Sequence, residues 1–187
     1  MSRGIKDTRY SHSGDGQTLR KDDSLFEAIG SIDELNAHLG LAISELDKDD
    51  YKKTLSESQI VLTKIMSEFA FAPKKDETIQ RADAIGLDSP EENQKKQNHN
   101  DLLNYVETLT EETERLKTSA GAVKTFIQPG KNRISAFLHI ARTVCRRAER
   151  RAVSMQQHRD ISSESLAYLN KLSEYLFYLA CVTEKEE

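Results

Sequence analysis

The sequence predicts an all-α fold, a five-helix bundle built as one domain. Three observations carry that expectation. Five stretches repeat apolar residues at the helical period. The breaks between them gather polar runs with Pro73, Gly86, Pro90, Pro129 and Gly130. A chain of 187 residues, 37% hydrophobic and 31% charged, is long enough for one full core and short for two. The bundle is read as residues 24–187, with 74–100 as a polar connection and 1–23 as a flexible arm.

Composition narrows the function classes. A net charge of −4 and a pI near 5.8 argue against general nucleic-acid binding, which wants a basic surface. The two cysteines, Cys145 and Cys181, fall in helical patterns with no metal spacing, which suits small core residues in a reducing compartment, the cytoplasm. No apolar run approaches the ~20 residues of a membrane span, and the N-terminus lacks a signal core, so a soluble protein is expected. The five histidines never follow a glutamate at three residues, so a ferritin-like di-metal bundle is excluded. Walker and GxGxxG phosphate loops are absent too.

The first 23 residues are polar, Gly- and Ser-rich and aperiodic, and read as a loop. Within them Ser13, Gly14, Asp15 and Gly16 could converge backbone N–H groups into a nest for phosphate, a tail without that role being the alternative. Helix one should run from Ser24, as N-cap of a capping box with Glu27, to about Leu46, burying Leu25, Ala28, Ile32, Leu35 and Leu39. Asp33 and Asn36 lie on another of its faces. Helix two, about Asp50 to Ala72, keeps Leu55, Leu62, Ile65 and Phe69 at core spacing. Helix three, roughly Asp101 to Lys117, sets Leu102, Val106, Leu109 and Leu116 against an acidic outer face. The last, Ser163 to Glu184, has a leucine band and a line of Asn170, Glu174 and Cys181.

Helix four, Arg133 to about Ser154, organises the rest. At roughly 100° per residue, Ile134, Phe137, Leu138, Ala141, Val144, Cys145, Ala148 and Ala152 form an apolar stripe, bordered by Ser135, His139, Arg142, Arg146 and Glu149. Two arginines one turn apart beside a buried face suit an anion, because the planar guanidinium donates bidentate hydrogen bonds and keeps its charge when partly buried. A solvated basic face paired with Glu149 is the alternative.

Three separated motifs point further. KDDSLFEAIGSIDELNAHLG (Lys21 to Gly40), FIQPG followed by HIARTVCRRAERRAV, and YLNKLSEYLFYLA (Tyr168 to Ala180) stand in the order found in the PduO-type ATP:cob(I)alamin adenosyltransferases, which the chain resembles over about three quarters of its length. The resemblance implies transfer of the 5′-deoxyadenosyl group of ATP to Co(I) of cobalamin, in a homotrimer whose sites lie between subunits. It implies ATP, Mg²⁺ and cobalamin as ligands, and a reductase and a cobalamin-dependent acceptor enzyme as further partners. It also opens the mitochondrial matrix as an alternative compartment.

Carried over residue by residue, the resemblance makes 1–23 a nucleotide-binding arm, with Ser13, Gly14, Asp15 and Lys21 at the phosphates. Arg146 would hold the polyphosphate, Asp33 would fix Arg142 across a subunit boundary, and Glu149 and Asn170 would orient nucleotide or Mg²⁺. Phe126, 16 residues before Arg142, would displace the lower ligand of cobalt; a core plug is its plain reading. The chain departs from the family at its N-terminal loop, at the glycine missing after Gly130, and at Cys181, where the family keeps an arginine. These departures motivate the rival reading, a non-catalytic member that keeps the bundle and binds nucleotide or corrinoid. An acidic partner or RNA docking on the basic helix is the third reading, disfavoured by the acidic chain.

Overall fold

The computed structural model describes residues 8–76, 90–122 and 127–185, with 90–98 traced by backbone alone. Among these residues lie a short hairpin, β1 (Tyr10–His12) and β2 (Thr18–Arg20), and five helices: α1 (Ser24–Glu45), α2 (Asp49–Ala70), α3 (Pro90–Ala120), α4 (Arg133–Gln156) and α5 (Ser163–Thr183). Around the bundle the helices follow the order α2, α1, α4, α5, α3, with α2 and α3 barely touching. The five-helix expectation therefore holds.

Three local readings change. The arm read as an aperiodic loop pairs Tyr10 with Arg20, Ser11 with Leu19 and His12 with Thr18, antiparallel. Three-residue strands are too short to announce themselves by alternation. The stretch 74–100 is not all connection, since α3 begins at Pro90; proline suits a first turn, where its missing N–H has no helical partner anyway. Finally, Asp23 and not Ser24 caps α1, its Oδ1 accepting from Leu25 N at 2.9 Å.

The core lies where the periodicity put it. Leu25, Ala28, Ile32, Leu35 and Leu39 of α1 and Leu138, Ala141, Cys145 and Ala148 of α4 are fully buried. Truncating one such leucine typically costs ~2–5 kcal/mol through lost contacts and a residual cavity. The ends of the two site-bearing helices are firmly held. Asn132 and Ser135 form a capping box on α4, and Asn132 Nδ2 also donates to Thr183 O at 2.9 Å, tying the start of α4 to the end of α5. At the start of α5, Glu68 of α2 accepts from Ser162 N at 2.6 Å and from Ser165 Oγ at 2.5 Å, an anion where the helix dipole favours one.

Candidate active site

The arginines of α4 divide into two sets. Arg133 pairs with Glu45 at 2.9 Å, Arg147 with Glu34 and Arg151 with Glu27, three ion pairs that fasten α4 to α1. Arg142, Arg146 and Arg150 have no carboxylate partner among the described residues. Arg146 and Arg150 are exposed, whereas Arg142 is half-buried, its Nε enclosed without an acceptor and its guanidinium 6.0 Å from the centre of the Phe177 ring. Burial first, and then the charge of Arg146, pull the Arg142 pKa down. A pair of like charges left in this state is relieved by an anion.

Glu149 and Asn170 meet directly. Asn170 Nδ2 donates to Glu149 Oε1 at 2.9 Å, joining α5 to the arginine edge of α4. Arg142, Arg146, Glu149 and Asn170 thus form one charged ledge along the α4–α5 seam.

Behind the ledge the seam is polar but closed. His139 is 3% exposed, its Nε2 stands 3.7 Å from Glu184 Oε1, and among the described residues neither ring nitrogen nor that oxygen has a hydrogen-bond partner. Burial outweighs Glu184 and, with Arg142 adding to it, lowers the His139 pKa. At 3.7 Å the carboxylate is beyond hydrogen-bond reach, so the imidazole is neutral near pH 7. Ser135, the first member of the same stripe, is spent on the α4 cap.

The line of Asn170, Glu174 and Cys181 read from spacing comes apart. Glu174 turns to α3, where Lys117 lies at 2.7 Å, and to Lys171 at 2.7 Å, lysines that hold its carboxyl below the usual range. Cys181 is buried, with its thiol pushed up by desolvation. Of the three, Asn170 is the one that hydrogen-bonds to a ledge residue. Spacing alone could not reveal this, because the lysine that captures Glu174 comes from another helix.

Asp33 is exposed on α1 and makes no hydrogen bond or ion pair within the described chain. It does not meet Arg142 inside one subunit. Neighbouring Asn36 has a buried Oδ1 with no partner among the described residues. Phe126 lies outside the described residues, while Gly130 of the same segment adopts φ +98°, a conformation side-chain-bearing residues avoid.

The hairpin tip does not form an open nest. Ser13 N donates to Gln17 O at 3.0 Å, Gly14 N to Ala70 O at 2.9 Å, Gly16 N to Ser13 O at 3.0 Å and Gln17 N to Asp15 Oδ1 at 3.4 Å. A nest for phosphate needs convergent N–H groups that are free, and these are engaged. What the tip offers is side chains: Asp15, kept ionised chiefly by the Ser13 hydroxyl, and the exposed Lys21 at the base. A polar cleft between α2 and α3, lined by Glu57, Ser58, Tyr105, Glu112 and Tyr168, has no residue of α4 in its wall.

Comparison with known proteins gives the family. The family model described as cobalamin adenosyltransferase matches residues 4–183. A corrinoid adenosyltransferase of Bacillus subtilis is 32% identical, covering 92% of this chain and 84% of the relative, and one of Citrobacter freundii is 29% identical, covering 94% of each. Among solved structures, a variant PduO-type ATP:corrinoid adenosyltransferase from Lactobacillus reuteri complexed with cobalamin and ATP superposes with a TM-score of 0.74 at 26% identity, covering 95% of this chain and 87% of the other. Matched over almost its whole length, the chain belongs to the cobalamin adenosyltransferase family.

Proposed function

We propose that the protein transfers the 5′-deoxyadenosyl group of ATP to the Co(I) of a cobalamin substrate. The Co–C bond forms as the C5′–O bond breaks, and triphosphate leaves with the electron pair. Cobalt supplies the nucleophile, so the protein's work is positioning and charge stabilisation. The observation that carries this reading is the unpaired Arg142–Arg146 couple on a helix whose arginines 133, 147 and 151 are all paired. In this reading Arg146 binds the polyphosphate, while Glu149, oriented by Asn170, faces the nucleotide. Ser13, Gly14, Asp15 and Lys21 bring the hairpin to the phosphates, and Phe126 governs the lower face of the corrinoid.

Mg²⁺ suits such a site, since it needs only one or two carboxylates beside phosphate oxygens and water. Glu149 is the carboxylate at hand, and among the described residues no cluster of three or more metal-binding side chains competes with it. Bound there, Mg²⁺ would neutralise charge on the triphosphate.

The reading includes a homotrimer with sites between subunits. Among the described residues of one chain Asp33 has no partner and Arg142 no anion, so each is available to the other across a subunit boundary. A reductase that delivers Co(I) and an acceptor enzyme that uses the product are the expected partners. No helix among the described residues is long and apolar enough to cross a membrane. The compartment we infer is the cytoplasm, with the mitochondrial matrix as the alternative.

Cys181 favours a second reading, a non-catalytic member that retains ligand binding. One assay separates the two: the protein is incubated with ATP, Mg²⁺ and chemically reduced cobalamin, and adenosylcobalamin is followed by its absorbance. Turnover is expected. Tight ATP binding by calorimetry without any product would favour the second reading.

A further inference from the structure

Arg159, in the short connection between α4 and α5, is 2% exposed, and no other arginine or lysine among the described residues is buried. Its Nη1 donates to Ala72 O at 2.8 Å, and among the described residues its Nη2 is enclosed with no acceptor and it makes no ion pair with a carboxylate. Desolvating a guanidinium without a counter-charge is costly. Such a side chain persists where its donors hold something in place.

What it holds is the turn by which the chain leaves α2. The chain just past α2 is clamped to the connection by Asp160 N donating to Pro73 O at 2.9 Å and Lys75 N to His158 O at 3.1 Å, with Lys74 and Arg159 bridged between them. Two residues before Ala72, the Ala70 carbonyl receives the Gly14 N–H of the hairpin tip at 2.9 Å. The fit is close, because a Cβ on Gly14 would stand 2.8 Å from that same oxygen. Asp15, the next residue, lies in the field of Arg159. One turn of carbonyls therefore takes Arg159 through Ala72 and the hairpin through Ala70.

We propose that Arg159 is a positioning residue for the nucleotide: it fixes the α2 turn on which the tip Ser13–Gly16 docks, and so sets where Asp15 and Lys21 meet the phosphates. This rests on the function proposed above. Arg159 touches no substrate and acts through Ala72, Ala70 and Gly14.

The test uses the full chain with Arg159→Met and Arg159→Lys. Without Arg159 the Gly14 amide should exchange its hydrogen about tenfold faster, as local opening becomes easier. The KM for ATP should rise about fivefold with kcat little changed, the mark of lost ground-state positioning. Arg159→Lys, which can still donate to Ala72 O, should restore most of both. Gly14→Ala, which pushes the tip off Ala70 with Arg159 intact, should reproduce the KM rise and keeps the test decisive if Arg159→Met does not fold. Unchanged Gly14 exchange in a folded Arg159→Met protein overturns the proposal. A lower melting temperature with unchanged KM overturns it as well, assigning Arg159 to packing. Absence of turnover in the wild type would instead overturn the functional reading, and the two are told apart because Gly14 exchange is read without substrate.

Discussion

Asn170 of α5 and Glu149 of α4 are joined by a 2.9 Å hydrogen bond across the seam between their helices, donated by the amide to the carboxylate. Asn170→Asp replaces the donor with a second carboxylate and turns attraction into repulsion. Both groups face solvent, so the effect on stability should stay under about 1 kcal/mol. Binding should suffer more, with the KM for ATP rising about tenfold because Glu149 loses its orientation. Melting temperature and KM measured together check this; equal ATP kinetics in the variant would remove Asn170 from the site.

Arg146→Ala should nearly abolish ATP binding while leaving the fold intact. The side chain is exposed and unpaired, so its loss opens no core and strands no partner. A hydrogen bond to a charged group is typically worth ~1.5–3 kcal/mol, which is about ten- to a hundredfold in affinity. Calorimetry with Mg·ATP reads it directly, and unchanged affinity would sink the ledge as the phosphate site.

Asp33→Asn and Glu34→Gln are adjacent, nearly isosteric changes with different expected consequences. Glu34 is paired to Arg147 within the chain. Its variant should lose the ~0.2–1 kcal/mol of a surface ion pair and keep its assembly. Asp33 has no partner among the described residues of its own chain, so Asp33→Asn should weaken the proposed trimer or its activity. Sedimentation velocity and turnover that respond equally to both would rule out the pairing of Asp33 with Arg142.

The sequence made the helices legible because core burial follows the 3.6 period, and α1 and α4 bury the residues their wheels assign. The ledge was legible for the same reason: Arg142, Arg146 and Glu149 recur along one helix edge. Contacts between elements were not. Nothing in spacing tells that Lys117 captures Glu174, that Asn132 reaches Thr183, or that Arg159 is enclosed under the α2 turn. The hairpin escaped because three-residue strands carry no periodic signal, and with it went the knowledge that the Gly14 amide is already spent.

His139 gives the protein a pH dependence of definite sign. Its pKa is lowered from 6.5 in the folded chain, mainly by burial and then by Arg142, against the pull of Glu184. The unfolded chain then binds more protons than the native one below about pH 6.5, so stability rises with pH in that range and falls as pH drops through it. The melting temperature should decline from pH 7.5 to pH 5, and His139→Asn should flatten that slope. Identical slopes in the two proteins would assign the decline to other groups.

The resemblance puts an arginine at Cys181, and the surroundings of the thiol define what an arginine would meet there. The thiol is 4% exposed, kept neutral chiefly by burial, and near Glu184, whose Oε1 is buried and unpartnered among the described residues while Lys131 sits 3.1 Å from Oε2. Cys181→Arg inserts a longer side chain into a packed seam, which typically costs ~1–3 kcal/mol. Its guanidinium gains Glu184 as a partner and adds a third positive charge behind the Arg142–Arg146 couple. We expect a lower melting temperature together with a lower KM for ATP, since the added charge acts on the triphosphate. Cys181→Ser, close to isosteric and neutral, should leave KM where it is. A variant arginine that costs stability and yields no gain for ATP, in a protein whose wild type forms no adenosylcobalamin, would decide for the non-catalytic reading.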